Sequence, residues 1–167
     1  AEKGEELDFA EGLSKESLEL IEKEMNDPSA KPDYWTNSQY KQSLGYSQKM
    51  FGDTYGYILF KQGRVKEAIA QQEKVVEDGD NTEYNERYLE FLMADDQFKK
   101  VKSLGATYVK ENHATAKAKE YLKTAYKETT PDGNVETYLA ELEEVGRNKA
   151  LAEIKETMID EEAPKFT

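Results

Sequence analysis

Few side chains in this chain are placed to do chemistry. His113 is the only histidine, between Asn112 and Ala114 at an expected helix boundary. A general base needs a nucleophile or substrate proton within hydrogen-bond reach. No serine, lysine or carboxylate is spaced to partner His113, so it reads as a capping or surface residue. A histidine-based metal site would need further ligands at helical spacing, and only carboxylates are on offer. The neighbouring acids Glu143-Glu144 and Glu161-Glu162 would point in different directions from a helix, as solvated charge. No glycine-rich phosphate loop follows a strand. With no cysteine present, the chain has no disulfide, thiolate metal site or thiol nucleophile. The residues therefore nominate no catalytic group, no metal and no cofactor, and the expectation is a chain that is not itself an enzyme.

Charge narrows the choice of partner. Asp and Glu number 35 against 23 Lys and Arg, for a net charge of −12. Such a surface repels phosphate backbones and anionic lipid, which disfavours nucleic acid and membrane surfaces. A basic protein or peptide partner remains open. No window approaches the roughly 18 apolar residues of a membrane span, so no membrane insertion is expected.

The elements that would position any site are helices. Leu18, Ile21 and Met25 recur at helical spacing after Ser14, a candidate N-cap, and the helix should stop near Asn26-Asp27-Pro28. After a loop with two prolines, a second helix is expected over 37–50, with Tyr40 and Leu44 on one side. Tyr34 and Trp35 are expected to fold back as a hydrophobic lid, with the lone tryptophan in the core. Residues 52–81 read as two short amphipathic helices broken at Gln62-Gly63-Arg64. Gly56 and Ala68 are small enough to let the pair approach closely, and Gly63 supplies a positive φ for the turn. Tyr55, Leu59, Ile69, Val75 and Val76 would fill the seam.

Gly56, Gly63 and Ala68, with the apolar positions around them, resemble the tetratricopeptide repeat. Gln72 departs from it, standing where that family has an aromatic, and no proline closes the unit. A weaker copy follows 33 residues on, with Leu89, Asp96 and Val101 in the equivalent places and Gly105 inside its second helix. A third pair is expected over 114–127 and 134–145, joined through Pro131-Asp132-Gly133, with Tyr121, Leu122 and Ala125 facing Val135, Tyr138, Leu139 and Leu142. Ala150, Leu151, Ile154 and Met158 mark a last helix after Gly146. The expected fold is all-α, a tetratricopeptide-like array of antiparallel helix pairs with about seven to nine helices, over residues 1–158. The resemblance implies that the first helix of each pair lines a concave face. Tyr57, Phe60 and Lys61 would then face Glu83, Glu86 and Glu90 across a groove suited to a basic extended peptide. The competing reading packs Tyr57 and Phe60 against neighbouring helices and leaves the glutamates as ordinary surface.

The stretch "EEAPKFT" (161–167) breaks the helical pattern, because Pro164 forces Ala163 towards an extended backbone. Ala163, Pro164, Phe166 and Thr167 resemble the opening of thioredoxin-like domains of the redoxin, peroxiredoxin and TlpA type. Residues 159–167 are accordingly expected to be a linker and the first residues of such a domain. Together the two resemblances suggest an envelope or periplasmic thiol-disulfide oxidoreductase of Bacteroidetes type. Its Cys-x-x-Cys site would lie beyond Thr167, and the helical region would position the redox domain or recruit its client. The alternative is an independent tetratricopeptide-type peptide-binding scaffold with no redox connection.

Overall fold

The computed structural model describes residues 2–157, and the expected junction residues Ala163, Pro164 and Phe166, like Met158, lie outside them. The described residues form seven helices and no strand: α1 (Glu2–Asn26), α2 (Asn37–Lys61), α3 (Val65–Val75), α4 (Thr82–Ala94), α5 (Phe98–Lys110), α6 (Ala116–Thr129) and α7 (Val135–Thr157). The fold is all-α. Four helix starts are fixed by side-chain oxygens that accept otherwise orphaned backbone N–H groups, one of them α7, where Asn134 accepts from Glu136 and Thr137. Thr36 forms a capping box with Gln39 before α2, Asn81 accepts from Glu83 and Tyr84 before α4, and Thr115 accepts from Ala118 before α6.

Backbone conformation carries the 33-residue period. The positive-φ residues among the described ones are Gly63 (79°), Gly79 (68°), Asp96 (54°) and Asn112 (60°). Asp96 follows Gly63 by 33 residues, and Asn112 follows Gly79 by the same interval. Asp and Asn are the non-glycine residues that tolerate this left-handed region best. The turn hydrogen bonds repeat too. Gly63 N–H donates to Phe60 C=O and Arg64 N–H to Leu59 C=O, as Asp96 N–H does to Met93 C=O and Gln97 N–H to Leu92 C=O. These are paired helix-terminating bonds that satisfy the last carbonyls of α2 and α4.

Three expected boundaries are corrected. Ser14 is not an N-cap: it lies buried in the middle of α1. Met50-Phe51-Gly52 is not a break, because α2 runs through it for 25 residues. Gly52 is instead a site of close approach, as Gly56 was expected to be. A Cβ on Gly52 would sit 3.0 Å from both Gln71 Nε2 and Val75 Cγ2, and one on Gly56 would sit 2.9 Å from Gln72 Oε1. Gly146 likewise lies inside α7, where a Cβ would meet the Val109 carbonyl at 2.8 Å.

The core sits between the pairs. Leu59, Ala68, Tyr88, Leu89, Phe91, Leu92 and Val101 form its centre, and Leu122 joins Ala106, Val109, Leu139 and Leu142 in a second cluster. Tyr121 and Ala125 were expected against α7, but they pack into the first cluster with α4 and α5. The lid is also corrected. Tyr34 is 84% exposed, and Trp35 is only half-buried and outside both core clusters.

Candidate functional site

Helices α2, α4 and α6 form the walls of a concavity of about 470 Å³ lined by Tyr57, Glu83, Glu86, Arg87, Glu90, Thr115 and Lys117. On α4 the lining residues 83, 86, 87 and 90 fall at i, i+3, i+4 and i+7, a single helix face. Four of the six residues nominated from the sequence therefore meet here: Tyr57, Glu83, Glu86 and Glu90. Lys61 stands one turn along α2, its ammonium 4.8 Å from the Tyr57 ring centroid. Phe60 does not belong to the groove. It lies about 60° round the helix from Tyr57 and stacks on Phe91 with centroids 4.6 Å apart.

The sequence reading missed the cations. The Arg87 guanidinium carbon lies 4.9 Å from the Tyr57 ring centroid, and Arg87 pairs with the buried carboxylate of Asp53. Asp53 in turn accepts from Gln72 Nε2 at 2.8 Å, and the same nitrogen donates to the Tyr84 carbonyl at 3.3 Å. Burial pushes the Asp53 carboxyl above its ordinary range, opposed by Gln72 and Arg87. Gln72, which breaks the repeat pattern in sequence, is thus the buried polar link that holds Asp53 beneath Arg87. On the opposite wall, Lys117 Nζ lies 3.7 Å from both Glu86 Oε1 and Glu90 Oε1, and the Thr115 hydroxyl donates to Glu86. Three carboxylates face two cations, so the groove is mixed in charge with a small acidic excess. The position of Arg87 at i+4 from Glu83 was readable as part of that face. Lys117 was not, because it arrives from the following helix pair.

His113 takes a structural position. Its Nδ1 lies 3.1 Å from the Gly79 carbonyl as donor, and Asn85 Nδ2 donates to the carbonyls of both Gly79 and His113. These bonds tie the loop after α3 to the loop after α5. Among the described residues no group of three or more His, Asp or Glu could hold a metal ion, and no helix is long and apolar enough to cross a membrane. No family model, curated protein or solved structure matches this chain.

Proposed function

We propose that the chain is an interaction scaffold that holds an extended peptide carrying basic residues in the groove between α2, α4 and α6. The observation that carries this reading is the meeting of Tyr57, Glu83, Glu86 and Glu90 in one concavity, across helices from successive pairs. Kinship with tetratricopeptide arrays is part of the proposal, supported by the 33-residue spacing of Gly63 with Asp96 and Gly79 with Asn112. Tyr57, steadied by Lys61 and Arg87 over its ring, offers a rigid aromatic surface. The glutamates supply the attraction for ligand cations, with Glu83 at the exposed edge.

The test is fluorescence polarisation with a labelled decapeptide of alternating Lys and Gly. Changing Glu83, Glu86 and Glu90 together to Gln should weaken binding about tenfold at low salt, with the native affinity falling as salt rises. Affinity unchanged in the triple variant would overturn the assignment.

The resemblance of residues 161–167 to the opening of a thioredoxin-like domain supports placing this scaffold beside an envelope redox domain. Sequence beyond Thr167 decides it: a strand followed by Cys-x-x-Cys supports the placement, and a stop codon or unrelated sequence refutes it.

A further inference from the structure

A second cavity, of about 530 Å³, lies at the opposite end of α2 and shares no residue with the groove. Its lining is Tyr34, Trp35, Gln39, Gln42, Ser43 and Tyr46. None of the six is charged, in a chain where 35% of residues are. Tyr34 and Tyr46 are 84% and 66% exposed, so their apolar area is presented to solvent.

We infer that this cavity binds a proline-rich segment in the polyproline II conformation. Ring geometry is the first reason. Tyr34 stands edge-on to Trp35 at 77° with centroids 6.5 Å apart, and Trp35 is edge-on to Tyr40 at 72° and 6.2 Å. Of these rings Tyr34 and Trp35, with Tyr46, line the cavity, a shallow aromatic slot of the kind on which pyrrolidine rings pack, while Tyr40 lies against Trp35 outside the lining. The second reason is hydrogen-bonding chemistry. A polyproline II chain has no internal hydrogen bonds, so its carbonyls seek donors from outside. Gln39 Oε1 is occupied by the Thr36 amide and hydroxyl, and the amide nitrogen of this exposed side chain is left to act as the donor. Gln42 Nε2 has only a long 3.4 Å contact to the Tyr46 hydroxyl. Aromatic rings combined with neutral donors are the recurring means of reading such ligands.

The slot is also held in place before any ligand arrives. Glu24 accepts from Ser29 Oγ at 2.7 Å, Ala30 N–H at 3.0 Å and the Tyr40 hydroxyl at 3.1 Å. Trp35 N–H donates to the Pro32 carbonyl, and Lys31 Nζ donates to the Trp35 carbonyl at 2.8 Å. The loop 27–36 is thereby clipped to α1 and α2, which lowers the ordering cost of binding.

Trp35 is the only tryptophan, so its fluorescence reports this cavity alone. Titration with decaproline should give a saturable change in emission, and a Gly-Ser decapeptide should give none. Tyr34→Ala and Tyr46→Ala, both exposed and neutral for folding by circular dichroism, should each weaken decaproline binding about tenfold. Gln42→Ala should weaken it by a smaller factor. No saturable response to decaproline, an equal response to Gly-Ser, or full affinity in the Tyr34→Ala/Tyr46→Ala double variant would each overturn the inference. A response to cellohexaose but not decaproline would do the same and assign the cavity to sugars. Because the two linings are disjoint, failure here leaves the α2/α4/α6 groove standing.

Discussion

Glu11 clips α1 to the turn between α2 and α3, and its removal tests how firmly α1 is held. Its carboxylate accepts from Gln62 Nε2 and Arg64 Nη1, each at 2.9 Å, and pairs with Lys15 at 2.6 Å. Hydrogen bonding from Lys15, then Gln62 and Arg64, brings its pKa down from 4.5 to about 2. By linkage, a depression of this size sets an upper bound of about 3 kcal/mol on its contribution to stability. Solvent reduces that, because the Arg64 and Lys15 side chains are 35% and 49% exposed and exposed ion pairs are worth only ~0.2–1 kcal/mol each. Glu11→Gln keeps the shape of the side chain and one acceptor, and should cost about 1–2 kcal/mol at pH 7. The sign with pH follows from the depressed value. The contribution is complete above the unfolded pKa of 4.5 and is lost as pH falls through the folded pKa of about 2. Urea unfolding followed at 222 nm from pH 7 downwards should show the two proteins converge across that window. Equal stability at pH 7, or a gap that persists undiminished at pH 2, would refute the clip.

Two further contrasts separate packing from binding. Gly45→Ala, where a Cβ meets nothing within 4 Å, should raise stability by about 0.5–1 kcal/mol through helix propensity. Gly146→Ala, which drives a Cβ into the Val109 carbonyl, should lower it by about 1–3 kcal/mol, both read from thermal unfolding. Phe60→Ala should cost about 2–3 kcal/mol by removing a partly buried ring stacked on Phe91. Tyr57→Ala should leave the melting temperature within a few degrees and weaken the Lys-Gly peptide, read by circular dichroism and polarisation side by side.

Much of the architecture was legible because its turns demand particular residues. Gly63 is a left-handed turn in the sequence and in the structure, and Asp96 takes that conformation 33 residues later. Two of the shifted boundaries, at Gly52 and Gly146, have one cause. A glycine inside a helical pattern can serve a positive φ, a close approach or, like Gly45, neither, and sequence alone does not reveal the approaching partner. Gly52 and Gly146 read as breaks in the sequence and are contacts with Val75 and the Val109 carbonyl in the fold. Ser14 was misread for a related reason, since a serine looks like a cap wherever a helical stripe begins after it. The groove was partly visible because 83, 86 and 90 share a helix face. Its Lys117 depends on which helix lies alongside, which is a long-range fact.

The continuity of α2 links these errors to the two proposed sites. Gly52 and Gly56 lie one turn apart, on the side where α3 packs closely enough for Gln71, Gln72 and Val75 to touch them. Tyr57 follows Gly52 by five residues and therefore emerges about 140° away. Tyr46 and Met50 are half or more exposed along the length before it. Had the chain broken at Gly52, its two halves could have turned independently, and each exposed aromatic would have found its own packing. As one helix of 25 residues, about 37 Å long, α2 has its rotation fixed by the two glycines against α3. That rotation leaves Tyr46 with the Trp35 slot at one end and Tyr57 with Arg87 at the other. Gly52, which reads as punctuation, and Gly56, which reads as a contact, together keep the binding-face aromatics out of the core.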